Sequence, residues 1–116
     1  MINPTFFFAA IFLAQSAPAA PQLSLEQQAA LRCSAAFALV SHGQEIGNAD
    51  AMQFPKLEER GREFMVQSMA KLMDETGLDR DSVAALLSAE AQSLFDDGRI
   101  VETMPACLAL LDASGI

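Results

Sequence analysis

The chain has no tryptophan and no tyrosine, one histidine and two cysteines in 116 residues. Cations are also scarce: seven lysines and arginines stand against 15 acids, for a formal net charge of −8. Each scarcity argues against a class of function. An acidic chain repels phosphate backbones and, for the same reason, anionic lipid head groups. A single histidine, His42, falls short of the ligand count of most metal sites, and a triad needs a nucleophile that the fold must place. Ser41 adjoins His42 but points elsewhere on a helix. Near a helix end, His42 is expected to meet terminal carbonyls instead. The sequence contains no Gly-rich phosphate loop, no Gly-x-Ser-x-Gly elbow, no His-Glu-x-x-His and no Cys-x-x-Cys. Those motifs carry phosphate binding, acyl transfer, zinc hydrolysis and thiol redox chemistry. The expectation is a protein that is not an enzyme, with no catalytic residue, no cofactor and no metal site.

Charge is missing altogether from the first 25 residues, where only the α-amine is positive. An apolar run from Phe6 to Ala14 is followed by Gln15-Ser16-Ala17-Pro18-Ala19-Ala20-Pro21. An apolar stretch followed by small residues in an Ala-x-Ala pattern reads as a secretory signal peptide. The run is shorter than the roughly 20 apolar residues that span a bilayer. Residues 1–20 are therefore expected to be a signal peptide, cut after Ala19 or Ala20, and residues 21–116 a single helical domain of the periplasm. Removal of 20 residues from the 116 leaves 96, enough for one modest core.

Both cysteines lie in that domain, Cys33 near its start and Cys107 near its end. An exported protein with an even cysteine count is expected to pair them, and two cysteines allow one intramolecular bond. It would close a loop of about 74 residues, worth roughly 4.5 kcal/mol in the chain-entropy model.

Apolar spacing predicts helices and no strands. Ser24 and Gln27 fit a capping box that opens a first helix running to about His42 or Gly47. Ala29, Cys33, Ala36, Phe37 and Val40 form its apolar stripe, and Gly43 and Gly47 are possible stops. The stretch Gly47 to Pro55 reads as a loop. A second helix spans Lys56 to Thr76, with a stripe of Leu57, Phe64, Met65, Met69, Leu72 and Met73. Its interior Gly61 costs about 1 kcal/mol relative to alanine or marks a close helix approach. Gly77 suits a left-handed terminus. Asp79 or Asp81 opens a third helix with Val83, Leu86, Leu87, Ala91, Leu94 and Phe95 on its buried side, ended by Gly98. A last helix covers about Arg99 to Ala113, with Ile100, Met104, Cys107, Leu108 and Leu111 on one side. Pro105 is tolerated only near a helix start, so the regular helix is expected to begin at Met104. The predicted fold is an all-α bundle of about four helices, its first and last joined by the disulfide.

Two constellations invite chemistry. Met65, Met69 and Met73 recur at i, i+4, i+8, a thioether ladder of the kind that holds Cu(I), to which His42, Met52 and Met104 would add ligands. Gap-filling in a core short of aromatics explains the same spacing. The paired acids Glu58-Glu59, Asp74-Glu75 and Asp96-Asp97 are adjacent on helices. They do not face one another across a cleft as glycosidase carboxylates do. Asp79-Arg80-Asp81-Ser82-Val83 begins a calcium-loop pattern and fails at Val83.

The segments Leu31–Phe37, Leu72–Leu78 and Met104–Leu111 resemble those of short exported helical proteins of alphaproteobacteria, a resemblance that brings no assigned activity with it. In architecture alone, with a signal, a small helical domain and two cysteines, the chain is similar to periplasmic acid-stress chaperones, whose cysteine spacing differs. No functional residue carries over from either. The leading expectation is a periplasmic protein-interaction or stress-response module that binds an unidentified protein partner. In one version its acids protonate near pH 2 to 3 and a loosened Met- and Leu-rich surface takes up clients. The alternatives are an inhibitor or immunity-type protein that binds a cationic partner, and copper handling through Met65, Met69 and Met73.

Overall fold

A computed structural model describes residues 22–116; the expected signal segment lies outside the described residues. Five helices follow one another: α1 (Leu25–Glu45), α2 (Ala49–Met52), α3 (Glu58–Thr76), α4 (Arg80–Asp96) and α5 (Ile100–Ala113). Among the described residues no helix is long and apolar enough to cross a membrane.

Local chemistry sets the helix ends. Ser24 caps α1 in a reciprocal box: its hydroxyl accepts from the Gln27 N–H at 3.1 Å, and its own N–H donates to Gln27 Oε1 at 2.9 Å. Asp79 caps α4 by accepting from the Ser82 N–H at 2.8 Å. Gly77 closes α3 in the left-handed region at φ 72°. These three match the sequence expectation.

Four expectations need correction. Gly43 does not stop α1; it is buried inside it. The predicted loop at 47–55 contains α2, capped by Asn48, whose Oδ1 accepts from the Ala51 N–H at 3.1 Å. The helix expected from Met104 begins at Ile100 and carries Pro105 within it. Pro105 and Val101, whose carbonyl loses its i+4 donor, are both exposed, so the missing bond falls on the solvent side. Burial of Met104, Cys107 and Leu111 holds the helix continuous across it. Finally, Ala29 and Phe95 are exposed rather than part of the buried stripes.

The arrangement is organised around α1, which packs against all four other helices. That explains its composition. A helix contacted from several sides has no solvent face in its middle. Cys33, Ser34, Ala35, Ala36 and Phe37 are consecutive and all buried. The small side chains of the first four let the neighbouring helices approach. Gly61 of α3 shows how close: a Cβ built there would stand 3.1 Å from the Phe37 Cβ. One turn on, Phe64 meets Phe37 edge to face, ring centroids 5.3 Å apart. The run has one unsatisfied group, the Ser34 hydroxyl, which is buried without a hydrogen-bond partner.

Cys33 and Cys107 are joined, sulfur to sulfur at 2.10 Å with Cα atoms 5.1 Å apart. The bond ties the middle of α1 to the middle of α5 inside the core, where Met104 and Leu111 are fully enclosed on either side of Cys107.

Candidate functional site

Two apolar grooves of similar size lie toward opposite ends of α1. The first, about 330 Å³, is lined by Ala29 and Ala30 of α1, Phe64, Met69 and Leu72 of α3, and Leu110 of α5. The second, about 310 Å³, is lined by Leu39 and Ile46 near the end of α1, Ala51 and Phe54, Phe95 at the end of α4, and Ile100 and Val101 at the start of α5. From Ala29 to Gly43 is about 20 Å at the helical rise of roughly 1.5 Å per residue.

The second groove is built by the short helix α2. Gly43 makes room for it: a Cβ at that position would come within 2.7 Å of the Ala51 Cβ. Gln44 then anchors the whole α2–α3 connection. Its Nε2 donates to the carbonyls of Ala51, Phe54 and Pro55 at 3.1, 3.2 and 2.9 Å, and its Oε1 accepts from the Leu57 N–H at 3.2 Å. Four backbone groups of an irregular segment are thus satisfied by one side chain. The consequence is a fixed floor of Ala51 and Phe54 beside the end of α1.

Around that floor three large apolar side chains stand in solvent: Ile46 at 68% exposure, Phe95 at 66% and Val101 at 42%. Phe95 is turned out because α4 turns Val83, Leu87, Ala91 and Leu94 inward, spaced by fours and a three, with Leu94 in the core and Leu87 and Ala91 packed against it. The next residue is rotated about 100° off that line. The same residue types that make a buried stripe therefore leave one phenyl ring outside it.

Carboxylates border these side chains. Asp50 lines the groove. Glu45 precedes Ile46, Asp96 and Asp97 follow Phe95, and Glu102 follows Val101; all are exposed. Asp50 and Glu102 sit in the first turns of α2 and α5, where the helix dipole favours an acid. Glu45, Asp96 and Asp97 sit at the C-terminal ends of α1 and α4, where it opposes one. The cations at this end are Lys56, two residues after Phe54, and Arg99, whose Nε is 3.6 Å from Glu102; the His42 Nδ1 lies 3.9 Å from Glu45.

The residues singled out in the sequence are dispersed. Met69 lines the first groove, while Met65 and His42 share a shallower one of about 210 Å³ over Leu57 and Gly61. Met104 is enclosed in the core and Met52 is exposed. Among the described residues no group of three or more His, Cys, Asp or Glu is placed to hold a metal ion. His42 is exposed and lies beside Glu45. Of the paired acids, Glu75 lines the first groove, Glu58 lines the groove shared by Met65 and His42, and Asp96-Asp97 follow Phe95 of the second. The sequence reading missed Phe95, Ile46 and Gln44 as site residues. The available signals were an apolar residue placed against two acids before Gly98, and an isoleucine before Gly47.

No protein-family model, curated protein or solved structure matches this chain. The functional reading therefore rests on the geometry.

Proposed function

We propose that the chain is an exported protein-interaction module whose working surface is the groove around Phe95. The observation that carries this reading is the exposure of Phe95, Ile46 and Val101 around one preformed depression. Clustered exposed apolar groups cost solubility and mark interaction sites in soluble proteins. The face is open with the bundle fully packed, so it requires no acid-induced loosening to receive a partner. Binding rather than catalysis suits the side chains present: the one imidazole is exposed beside a glutamate, and both cysteine sulfurs are committed to the disulfide.

Site-specific photocrosslinking tests the face. A photoreactive phenylalanine analogue is placed at Phe95 or, as control, at Val66, an exposed apolar residue on α3. In cells, position 95 should give a dominant adduct of defined mass and position 66 none. Absence of an adduct at 95, or equal adducts at both, would end the proposal. A ladder of many weak adducts at 95 alone would mark the same face as chaperone-like. Export is tested separately by intact mass of the envelope fraction: loss of 19 or 20 residues and no alkylation without reductant are expected.

A further inference from the structure

Resting on that reading, we infer that the partner of the Phe95 face is a cationic amphipathic helix, with an apolar side chain seated between Ile46 and Phe95 and lysine or arginine on its flanks. Three observations converge. The floor is apolar and concave, the form that receives an anchor residue from a helix. Asp50 lines it, and the exposed acids Glu45, Asp96, Asp97 and Glu102 adjoin Ile46, Phe95 and Val101 in sequence, against Lys56, Arg99 and His42. Three of those carboxylates are placed against the fold's own interest. Glu45, Asp96 and Asp97 occupy helix C-termini, where a lysine or arginine would stabilise the helix and an acid does the reverse. Negative charge kept there at a cost to the helices is recovered when a cation docks on it.

The same features oppose the other occupants. A second copy packed face to face would set five carboxylates against five across a two-fold axis. An anionic lipid surface or a nucleic acid meets the same repulsion. The amino-end groove is lined by Glu26 and Glu75 and also by a lysine, Lys71, which pairs with Glu26 at 3.3 Å.

The test uses the oxidised chain without residues 1–20 and three model helices of equal length, built from leucine with lysine, with glutamate or with glutamine. Titration calorimetry at 50 mM salt should show one-to-one binding of the Leu/Lys helix only. Phe95→Ser leaves the net charge at −8 and should weaken that binding at least tenfold, while Val66→Ser leaves it unchanged. Asp96→Asn with Asp97→Asn should weaken it severalfold and flatten its salt dependence. Thermal melts establish that each variant is folded. Equal binding of the Leu/Gln or Leu/Glu helix would overturn the cationic partner and leave the face standing. Binding of Leu/Lys indifferent to Phe95→Ser would show diffuse charge attraction and overturn the inference, as would binding of no helix. Concentration-dependent dimerisation abolished by Phe95→Ser would assign the face to a second copy instead.

Discussion

The two ends of α1 carry grooves of nearly equal volume, about 330 and 310 Å³, and they are finished differently. At the amino end the walls are Ala29, Ala30, Met69 and Leu110, and the Lys71–Glu26 ion pair crosses from α3 to α1 at the rim. Other ion pairs between helices also lie away from the Phe95 face: Arg32 of α1 meets Glu90 of α4, and Arg60 of α3 meets Asp112 of α5. At the carboxy end the polar contacts are local, His42 beside Glu45 within α1 and the Arg99–Glu102 pair at the start of α5. The walls there rise into Ile46, Phe95 and Val101. Cavity size therefore says little. What separates a packing remnant from a working face is whether the surrounding side chains turn inward and pair, or stand outward unpaired.

The largest effect should come from the element that lies between the two grooves. Reduction, or Cys33→Ser with Cys107→Ser, is expected to cost roughly 4.5 kcal/mol by the loop-entropy estimate, read as a lower urea midpoint. Amide exchange should rise at both ends together, because the bond joins the middles of α1 and α5. Faster exchange at one end only would show that the ends are independent units.

Gly43→Ala probes the carboxy end alone. The new methyl must displace Ala51 from 2.7 Å, an overpacking strain of about 1–3 kcal/mol that exceeds the helix-propensity gain of up to about 1 kcal/mol. Gln44→Ala should cost about 1–2 kcal/mol by removing the partner of the Leu57 N–H and of the Phe54 and Pro55 carbonyls; the Ala51 carbonyl keeps the Phe54 N–H. Both substitutions should raise amide exchange from Asn48 to Leu57 and spare Ser68 to Glu75. Equal loosening at the Lys71 end would erase the distinction drawn between the grooves.

The smallest effect concerns acid. Hydrogen bonds from Ser82, side chain first and backbone N–H second, hold the Asp79 carboxyl below its ordinary 3.8. A depressed folded value means that the stabilisation is fully present above the unfolded value and is lost as pH falls through the folded one. Asp79→Asn keeps a capping oxygen and removes the titration. The Tm advantage of the native chain over this variant should be present at pH 6 and shrink as the pH falls below the ordinary value of 3.8. An advantage that grows on acidification would contradict the assignment.

Helix existence and capping were legible because each rests on neighbours in sequence: Ser24 with Gln27, Asp79 with Ser82, Gly77 after an apolar-periodic segment. The disulfide was legible because two cysteines leave one intramolecular pairing. Phe95 was not, because 3.6-residue spacing marks a stripe several residues wide, and only the crossing of α4 on α1 decides which edge of it is covered. Gln44 was illegible for a related reason. Its partners lie 7 to 13 residues away, on a segment whose path no local signal fixes. Asn48 did carry a local signal for α2, an N-cap before Ala-Asp-Ala, which the loop-like composition around it concealed.

The central claim is that binding occurs at the carboxy end of α1 and not at the amino end. Backbone amide shifts of the isotope-labelled oxidised chain, recorded as the Leu/Lys helix is added, test it most directly. The account predicts saturable shifts confined to Leu39–Phe54 and Leu94–Glu102. Shifts centred on Glu26–Ala30 and Ser68–Glu75 would contradict it.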